Sequence, residues 1–281
     1  MIAALMDRVE RRIAGYGSDR AVVAFSGGVD SAVVTALAAR AMGPARITAV
    51  TAVSPSYPAG ELESARDTAA ALSVAHRVIE TREVEREAYV RNDALRCYHC
   101  KAELYGVLRR IAAESDGSVV LAGANADDVL DVRPGLLAAD QQGVRNPLLD
   151  EGVGKVAVRA VATRLGLAVA TKPALACLSS RVAFGVRITP GLLARVDQAE
   201  QMVRALGFDP VRVRHFGHRA TIEVAPEEVD RLVAHAELQE LLVALSGLGW
   251  KEVEIDRLGY RQGRMNNALP NLTIGLGSTG S

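Results

Sequence analysis

The sequence has no surplus of either charge: Lys plus Arg and Asp plus Glu both total 33 in 281 residues. Without a global field a chain cannot hold a polyanion over its whole surface, so a nucleic-acid partner is disfavoured and only a local basic patch would serve one. Long apolar runs are missing as well, none approaching the roughly 20 residues of a membrane span. The first residues, Met1 to Gly15, mix Asp7, Arg8, Glu10, Arg11 and Arg12 with apolar residues at helical spacing. That is the pattern of an amphipathic surface helix, not of a signal peptide, and the expectation is a cytoplasmic protein without a membrane partner. Cysteine is scarce: three, an odd number, in a chain without a secretory signal argue against a disulfide framework. Metal or redox chemistry becomes the better question. No internal repeat is visible. Apolar residues make up 49% of the chain, which excludes disorder, and the length suits one large domain or two smaller ones.

The run Arg20–Phe25 reads as a short, fully buried strand, and Ile47–Val53, Ala75–Ile79 and Val119–Ala122 read as three further strands. Helical patterns at Ala32–Met42, Ala65–Leu72, Arg86–Tyr89 and Lys101–Glu114 alternate with them. Such alternation predicts an α/β fold, a parallel sheet with helices on both faces and ligands at the carboxyl ends of the strands. Near Gly185 the texture changes. Pro190–Leu206 is a helix stopped by Gly207, Val211–Phe216 and Thr221–Val224 alternate as strands, and Pro226 opens a helix before a last strand at Val253–Ile255. The expected organisation is residues 1–184 as the first domain, 185–263 as a small α+β domain, and 264–281 as a Gly/Ser-rich tail, partly disordered.

Directly after the first strand stands Ser26-Gly27-Gly28-Val29-Asp30-Ser31, followed by a helix. Gly27 and Gly28 let the backbone turn tightly and bring its amides to an anion. The helix that follows aims its positive end at the same place. Ser26 and Ser31 add hydroxyls. Asp30 repels phosphate unless a cation intervenes, which assigns it to Mg²⁺. The Gly-Lys-Ser/Thr ending of a Walker loop is absent, so γ-phosphate transfer is not the natural chemistry. The loop resembles the PP-loop of the ATP pyrophosphatase superfamily, which implies ATP cleaved between its α and β phosphates and an adenylated intermediate. An ordinary Gly-rich turn is the bland alternative.

The fourth strand runs into Gly123-Ala124-Asn125-Ala126-Asp127-Asp128, with Asp131, Arg133 and Gly135 behind. Asp127 and Asp128 can hold Mg²⁺ against pyrophosphate, Asn125 lines the same turn, and Arg133 can clamp a phosphate or carboxylate. An Asp-capped surface turn is the alternative.

Cys97 and Cys100 form a CxxC in Arg96-Cys97-Tyr98-His99-Cys100-Lys101, and Cys177 lies in Lys172-Pro173-Ala174-Leu175-Ala176-Cys177-Leu178-Ser179-Ser180-Arg181. The spacing serves zinc, iron–sulfur and dithiol sites alike. Zinc needs a fourth ligand, such as His99; three thiolates alone suit a 4Fe–4S cluster with one iron open for a hydrosulfide. The alternative for any one cysteine is a small buried hydrophobe.

These segments occur in one order with Asn146-Pro147-Leu148-Leu149 and Val211-Arg212-Val213-Arg214-His215. Together, over about Arg20 to Gly263, they resemble the ATP-dependent sulfur transferases that help make the nickel-pincer nucleotide of lactate racemase. The resemblance implies adenylation of pyridinium-3,5-biscarboxylic acid mononucleotide, a small-molecule nucleotide substrate, and conversion of its carboxylates to thiocarboxylates. It also implies a homo-oligomer and a sulfide or sulfur-carrier donor. Some members carry only the cysteine matching Cys177 and sacrifice its sulfur. The three-cysteine pattern of this chain favours the cluster mechanism instead.

Arg212 and Arg214 share one strand face and suit a nucleotide phosphate, or else a solvated face paired with Glu223. Ser180 and Arg181 can steer the substrate. Trp250, His215, His218 and His235 receive no role. The rival functions are an ammonia-dependent synthetase, a tRNA thiolase, and a non-catalytic nucleotide sensor.

Overall fold

The computed structural model describes residues 1–115, 117–129, 134–173 and 176–261. Arg133, Asp131 and the tail 264–281 lie outside the described residues.

Four strands, β1 (Ala21–Ala24), β2 (Ile47–Val53), β3 (Ala75–Glu80) and β4 (Val119–Leu121), form an all-parallel sheet in the order β3-β2-β1-β4. Residue Arg145 adds a parallel bridge outside Leu121, its amide donating to the Val120 carbonyl at 2.9 Å. The chain winds outward from β1 to β2 to β3 and then crosses to β4 on the other side of β1. The reversal of winding therefore falls between β1 and β4, where open α/β sheets leave a crevice for ligands.

Helices cover both faces because successive strand residues point to opposite sides. Val23 faces a core with Met6, Val9 and Ile13 of α1 (Ile2–Ala14), Val33, Val34 and Leu37 of α2 (Val29–Met42), and, from the last helix of this part, Val158 and Val161. Its neighbour Val22 joins Val50 and Val120 against Tyr105, Leu108 and Ile111. The helices after α2 are α3 (Glu61–Ala71), α4 (Glu87–Val90), α5 (Arg96–Glu114), α6 (Pro134–Gln141), α7 (Pro147–Asp150) and α8 (Lys155–Arg164). α2 is apolar nearly all round, as a helix enclosed between layers must be. Its Val33, Val34 and Leu37 have no exposed surface, each contributing about 1.5–3 kcal/mol by burial.

One boundary differs from the sequence reading with a consequence for chemistry. The helix expected from Lys101 begins at Arg96, so Cys97 and Cys100 stand in its first turns rather than ahead of it. Apolar periodicity does not mark such ends: Leu95 is the N-cap, and just ahead of the helix its amide donates to the Asp93 carboxylate at 2.9 Å.

The C-terminal part carries α9 (Pro190–Ala205), β5 (Val211–Phe216), β6 (Arg219–Val224), α10 (Val229–Val233), α11 (Leu238–Gly247) and β7 (Glu252–Ile255). α9 starts where Thr189 accepts the Leu192 amide and Pro190 takes the first turn. β5 and β6 pair antiparallel, and β7 joins β6 in parallel. Tyr89, Val90, Leu178 and Val182 from the preceding part pack into the same core as Leu193, Val196, Val213, Ile222 and Trp250. The Ala183 amide also donates to the His215 carbonyl at 2.9 Å. Among the described residues no helix is long and apolar enough to cross a membrane.

Candidate active site

The phosphate loop leaves β1 where expected. Gly27 has φ +78°, and a Cβ on it would lie 3.0 Å from the Ala65 Cβ of α3. Both its backbone conformation and its surroundings thus exclude a side chain. The two serines brace the turn: Ser31 Oγ donates to the Gly28 carbonyl at 3.0 Å and accepts the Ser26 amide at 3.2 Å. Ser26 Oγ lies 3.2 Å from Ser31 Oγ, and the Tyr57 hydroxyl donates to the Ser26 carbonyl at 3.1 Å. Gly28 is the N-cap of α2 without a side-chain capping bond, so a ligand does not have to displace one from that end.

Asp30, one residue into α2, accepts from Asn125 Nδ2 at 3.1 Å on Oδ1 and from Lys155 Nζ on Oδ2. The acidic turn after β4 is thereby joined to the phosphate loop. Asn125, 4% exposed, also accepts the Asp127 amide at 3.0 Å. Asp127 accepts the Lys155 amide at 2.7 Å, a carboxylate capping the start of α8, and Asp128 accepts the Asn125 amide at 3.0 Å. Both carboxylates of the expected magnesium pair therefore have a part in shaping the turn.

The two cysteine segments are tied to each other through Arg96. Arg96, 5% exposed, donates through Nη1 to Asn92 Oδ1 at 2.6 Å and to the Ser179 carbonyl at 2.8 Å, while Nη2 lies 3.9 Å from Cys97 Sγ. One guanidinium so ties the CxxC helix to the turn that carries Cys177. The Leu178 amide donates to the Ser56 carbonyl at 2.8 Å, and the Tyr89 hydroxyl lies 2.5 Å from Ser179 Oγ. Cys97 and Cys177 are exposed, Cys100 half-buried. Burial pushes the Cys100 thiol up to about 12 against the pull of Lys101, and negative charge on Cys177, Glu83 and Cys97 pushes it the same way. Burial opposes the Arg96 charge, but charge on Cys97 and Cys177 outweighs it and raises its pKa. The three sulfurs thus share one electrostatic neighbourhood. Among the described residues no three Cys, His, Asp or Glu side chains stand at metal-holding distance, and this applies to Asp30, Asp127 and Asp128 as well.

Behind the Cys177 turn lies a buried ionic cluster. Arg181, 1% exposed, donates to both Glu200 oxygens at 2.8 and 3.2 Å and to the carbonyls of Ala176 and Cys177 at 2.7 and 2.9 Å. Its guanidinium is committed to holding the turn rather than presented to a substrate. Arg214 pairs with Glu223 at 2.9 Å and donates to the Ser180 carbonyl at 3.0 Å. Arg212 and Arg214 are each 6% exposed and lie over the Tyr260 ring at 5.3 and 6.0 Å, so their strand face is not solvated. Burial and repulsion from Arg181 hold the Arg212 pKa below its ordinary value. Ser180 Oγ donates to the Cys177 carbonyl at 2.7 Å.

Comparison with known proteins fits this geometry. Residues 3–174 match the asparagine synthase family model, which covers the phosphate loop, the acidic turn and the CxxC. The chain is also 35% identical over 252 residues to the pyridinium-3,5-bisthiocarboxylic acid mononucleotide synthase of Lactiplantibacillus plantarum, spanning 89% of this chain and 90% of that protein. The chain belongs to this synthase family. It is an ATP-dependent sulfur transferase built on a PP-loop domain. An uncharacterized protein of Synechocystis is 40% identical over 251 residues, 89% of this chain and 93% of its own length. An uncharacterized protein of Methanocaldococcus jannaschii is 25% identical over 246 residues, 88% and 92% respectively.

Two charged residues beside the candidate site had a sequence signal that periodicity alone passes over. Lys155 opens a helix just after the Asn146-Pro147-Leu148-Leu149 segment, and Glu200 interrupts the apolar stripe of Val196, Ala199 and Val203 on α9. A charge on a buried face demands a partner, which Arg181 supplies. Gly123 carries a third such signal. A Cβ there would lie 2.8 Å from the Ser31 amide nitrogen and 3.0 Å from the Asp30 carbonyl carbon, both backbone. Gly123→Ala is expected to push the acidic turn off the phosphate loop, at a cost of about 1–3 kcal/mol. Calorimetric titration with ATP should show the loss, and unchanged affinity would refute the close approach.

Proposed function

We propose that this enzyme adenylates a carboxylate of pyridinium-3,5-biscarboxylic acid mononucleotide and replaces it with a thiocarboxylate. The observation that carries the reading is that adjacent residues after β2 touch both segments: the Tyr57 hydroxyl donates to the Ser26 carbonyl of the phosphate loop at 3.1 Å, and the Ser56 carbonyl accepts the Leu178 amide next to Cys177 at 2.8 Å. The substrate carboxylate attacks the α-phosphorus of ATP and expels pyrophosphate, leaving an acyl-adenylate. Sulfide then attacks the activated carbonyl, and AMP leaves with the electron pair of the broken C–O bond. The phosphate loop, with Ser26, Gly27, Gly28 and Ser31, takes the pyrophosphate; Asp30, Asp127 and Asp128 are the candidates for Mg²⁺; Asn125 joins them. Arg212 and Arg214 carry the positive charge that the substrate's phosphate needs, with Ser180 beside it, and Arg133 is a further candidate clamp.

In donor chemistry Cys97, Cys100 and Cys177 fit a 4Fe–4S cluster, which all three would hold, leaving one iron for an exogenous sulfur ligand. Such a group, when bound, supplies a carrier of sulfide for the activated carbonyl. The chain's own part is to hold the Cys177 turn against α5 through Arg96 and to neutralise sulfur charge with Arg96 and Lys101. Sacrificial donation by Cys177 is the second reading, and the exposure of Cys177 favours it. A two-domain division at residues 184 and 185, a cytoplasmic homo-oligomer, and a sulfide or sulfur-carrier donor complete the proposal.

Purified enzyme with ATP, Mg²⁺, sulfide and the mononucleotide should release AMP and pyrophosphate and exchange one oxygen for sulfur in the substrate's mass. Pyrophosphate release with bulk tRNA or with ammonia, but not with the mononucleotide, would reject this substrate in favour of a tRNA thiolase or a synthetase. No release under any of these conditions would leave a nucleotide sensor.

A further inference from the structure

Arg212 and Arg214 stand where buried charge is dense, beside Arg181, Glu200 and Glu223. Most bonds in this cluster take up the donors of the arginines. Arg181 gives its N–H groups to Glu200 and to two carbonyls. Arg214 gives Nε to Glu223 and Nη1 to the Ser180 carbonyl. The Tyr260 ring acts differently. Its centroid lies 5.3 Å from the Arg212 guanidinium carbon and 6.0 Å from that of Arg214, and a ring face attracts a cation without taking any of its N–H groups. The backbone around the ring fixes it there. Gly259 has φ +67°, and a Cβ on it would fall 2.7 Å from Pro226 Cα and 2.9 Å from the Val224 carbonyl oxygen. The Tyr260 amide donates to that same carbonyl at 2.7 Å, and Val224 pairs across the strands with Val211, the neighbour of Arg212. The chain beyond β7 is thus pressed onto the end of β6, with the Leu258 amide donating to Asp256 Oδ1 at 2.8 Å.

We propose that Tyr260 is a positioning residue of the substrate site, its ring holding the guanidinium groups of Arg212 and Arg214 while leaving donors for the substrate's phosphate. Arg214 shows what is left: with Nε and Nη1 engaged, Nη2 has no partner among the described residues. A carboxylate in the ring's place would hold the arginines more strongly, but it would repel a phosphate and occupy the N–H groups that the phosphate needs. An aliphatic side chain would cover the arginines without attracting them. The aromatic ring meets both requirements. Arginines fixed in advance also lose less side-chain freedom when the anion arrives, which strengthens binding without a new contact. The inference rests on Arg212 and Arg214 receiving the mononucleotide's phosphate, and it adds a residue outside the phosphate loop, the acidic turn and the cysteine segments.

The test is calorimetric titration of the full-length protein with its ATP site filled by α,β-methylene-ATP, which cannot release pyrophosphate. The probes are the mononucleotide, its nucleoside without the phosphate, and ribose 5-phosphate. Tyr260→Leu should weaken the mononucleotide and ribose 5-phosphate by about three- to thirtyfold, the range for lost cation–π contacts, and leave the nucleoside within about twofold. Tyr260→Phe, which keeps a ring face, should stay within about threefold of the wild type. In turnover Tyr260→Leu should raise KM for the mononucleotide and leave kcat and the KM for ATP unchanged. Unchanged affinity for both phosphate esters in Tyr260→Leu overturns the proposal. Equal weakening of mononucleotide and nucleoside also overturns it, because the tyrosine would then only brace the C-terminal part. So does a Tyr260→Phe variant as weak as Tyr260→Leu, since the hydroxyl and not the ring would be responsible. If the wild type binds ribose 5-phosphate in a Tyr260-dependent way but not the mononucleotide, the proposed substrate fails and this site stands; if it binds neither, both fail.

Discussion

Cys177→Ser is expected to release pyrophosphate from ATP and substrate as the wild type does, and to form thiocarboxylate slower by on the order of a thousandfold or more. The two half-reactions are spatially divided. In the proposed reaction adenylation takes place at the loop between β1 and α2, whereas Cys177 stands on a turn held by Arg96 and Arg181. Serine keeps the size of the side chain and removes the sulfur, so a loss confined to the second half-reaction identifies the residue's chemistry. Cys97→Ser and Cys100→Ser then decide between the two sulfur sources. If the three thiols act together, each replacement removes transfer, and protein purified without oxygen loses its iron, about four atoms per chain, and its acid-labile sulfide. If Cys177 gives up its own sulfur, the other two replacements are mild and the wild type loses the mass of H₂S after one turnover. Full transfer activity in Cys177→Ser would sink both.

The second large effect is on stability. Arg181→Met should lower the free energy of unfolding by about 3–5 kcal/mol, because it leaves Glu200, which has no exposed surface, short of its bidentate partner. Arg204 still reaches Glu200 at 2.9 Å but is itself a third exposed, so it compensates only in part. Arg181 also donates to the carbonyls of Ala176 and Cys177. Transfer should therefore fall at temperatures where the variant remains folded. Arg181→Met with Glu200→Met restores an apolar pair and should regain stability without regaining transfer. Urea melts of the single and double variants check the first claim; an Arg181→Met midpoint equal to wild type would refute it.

Much was legible from residue order alone. Strands alternating with helices determined the parallel sheet, since period and length suffice where both faces are covered, as at β1, β2 and β4; β3, at the edge, has no buried residue. The phosphate loop was legible because Gly27 and the helix after it act through local backbone geometry, which sequence encodes directly. Three cysteines and no others named the candidate sulfur ligands. What sequence could not show was which charges meet. Lys155 lies 125 residues from Asp30, and Glu200 is 19 from Arg181; no local rule links such pairs. The arginines of β5 illustrate the limit: alternation placed both on one face with Glu223 as a partner, which Arg214 does meet, but the Tyr260 ring that covers that face lies beyond any local pattern. Local geometry is written in neighbouring residues, whereas the partner of a buried charge is chosen by long-range packing, which the fold alone decides.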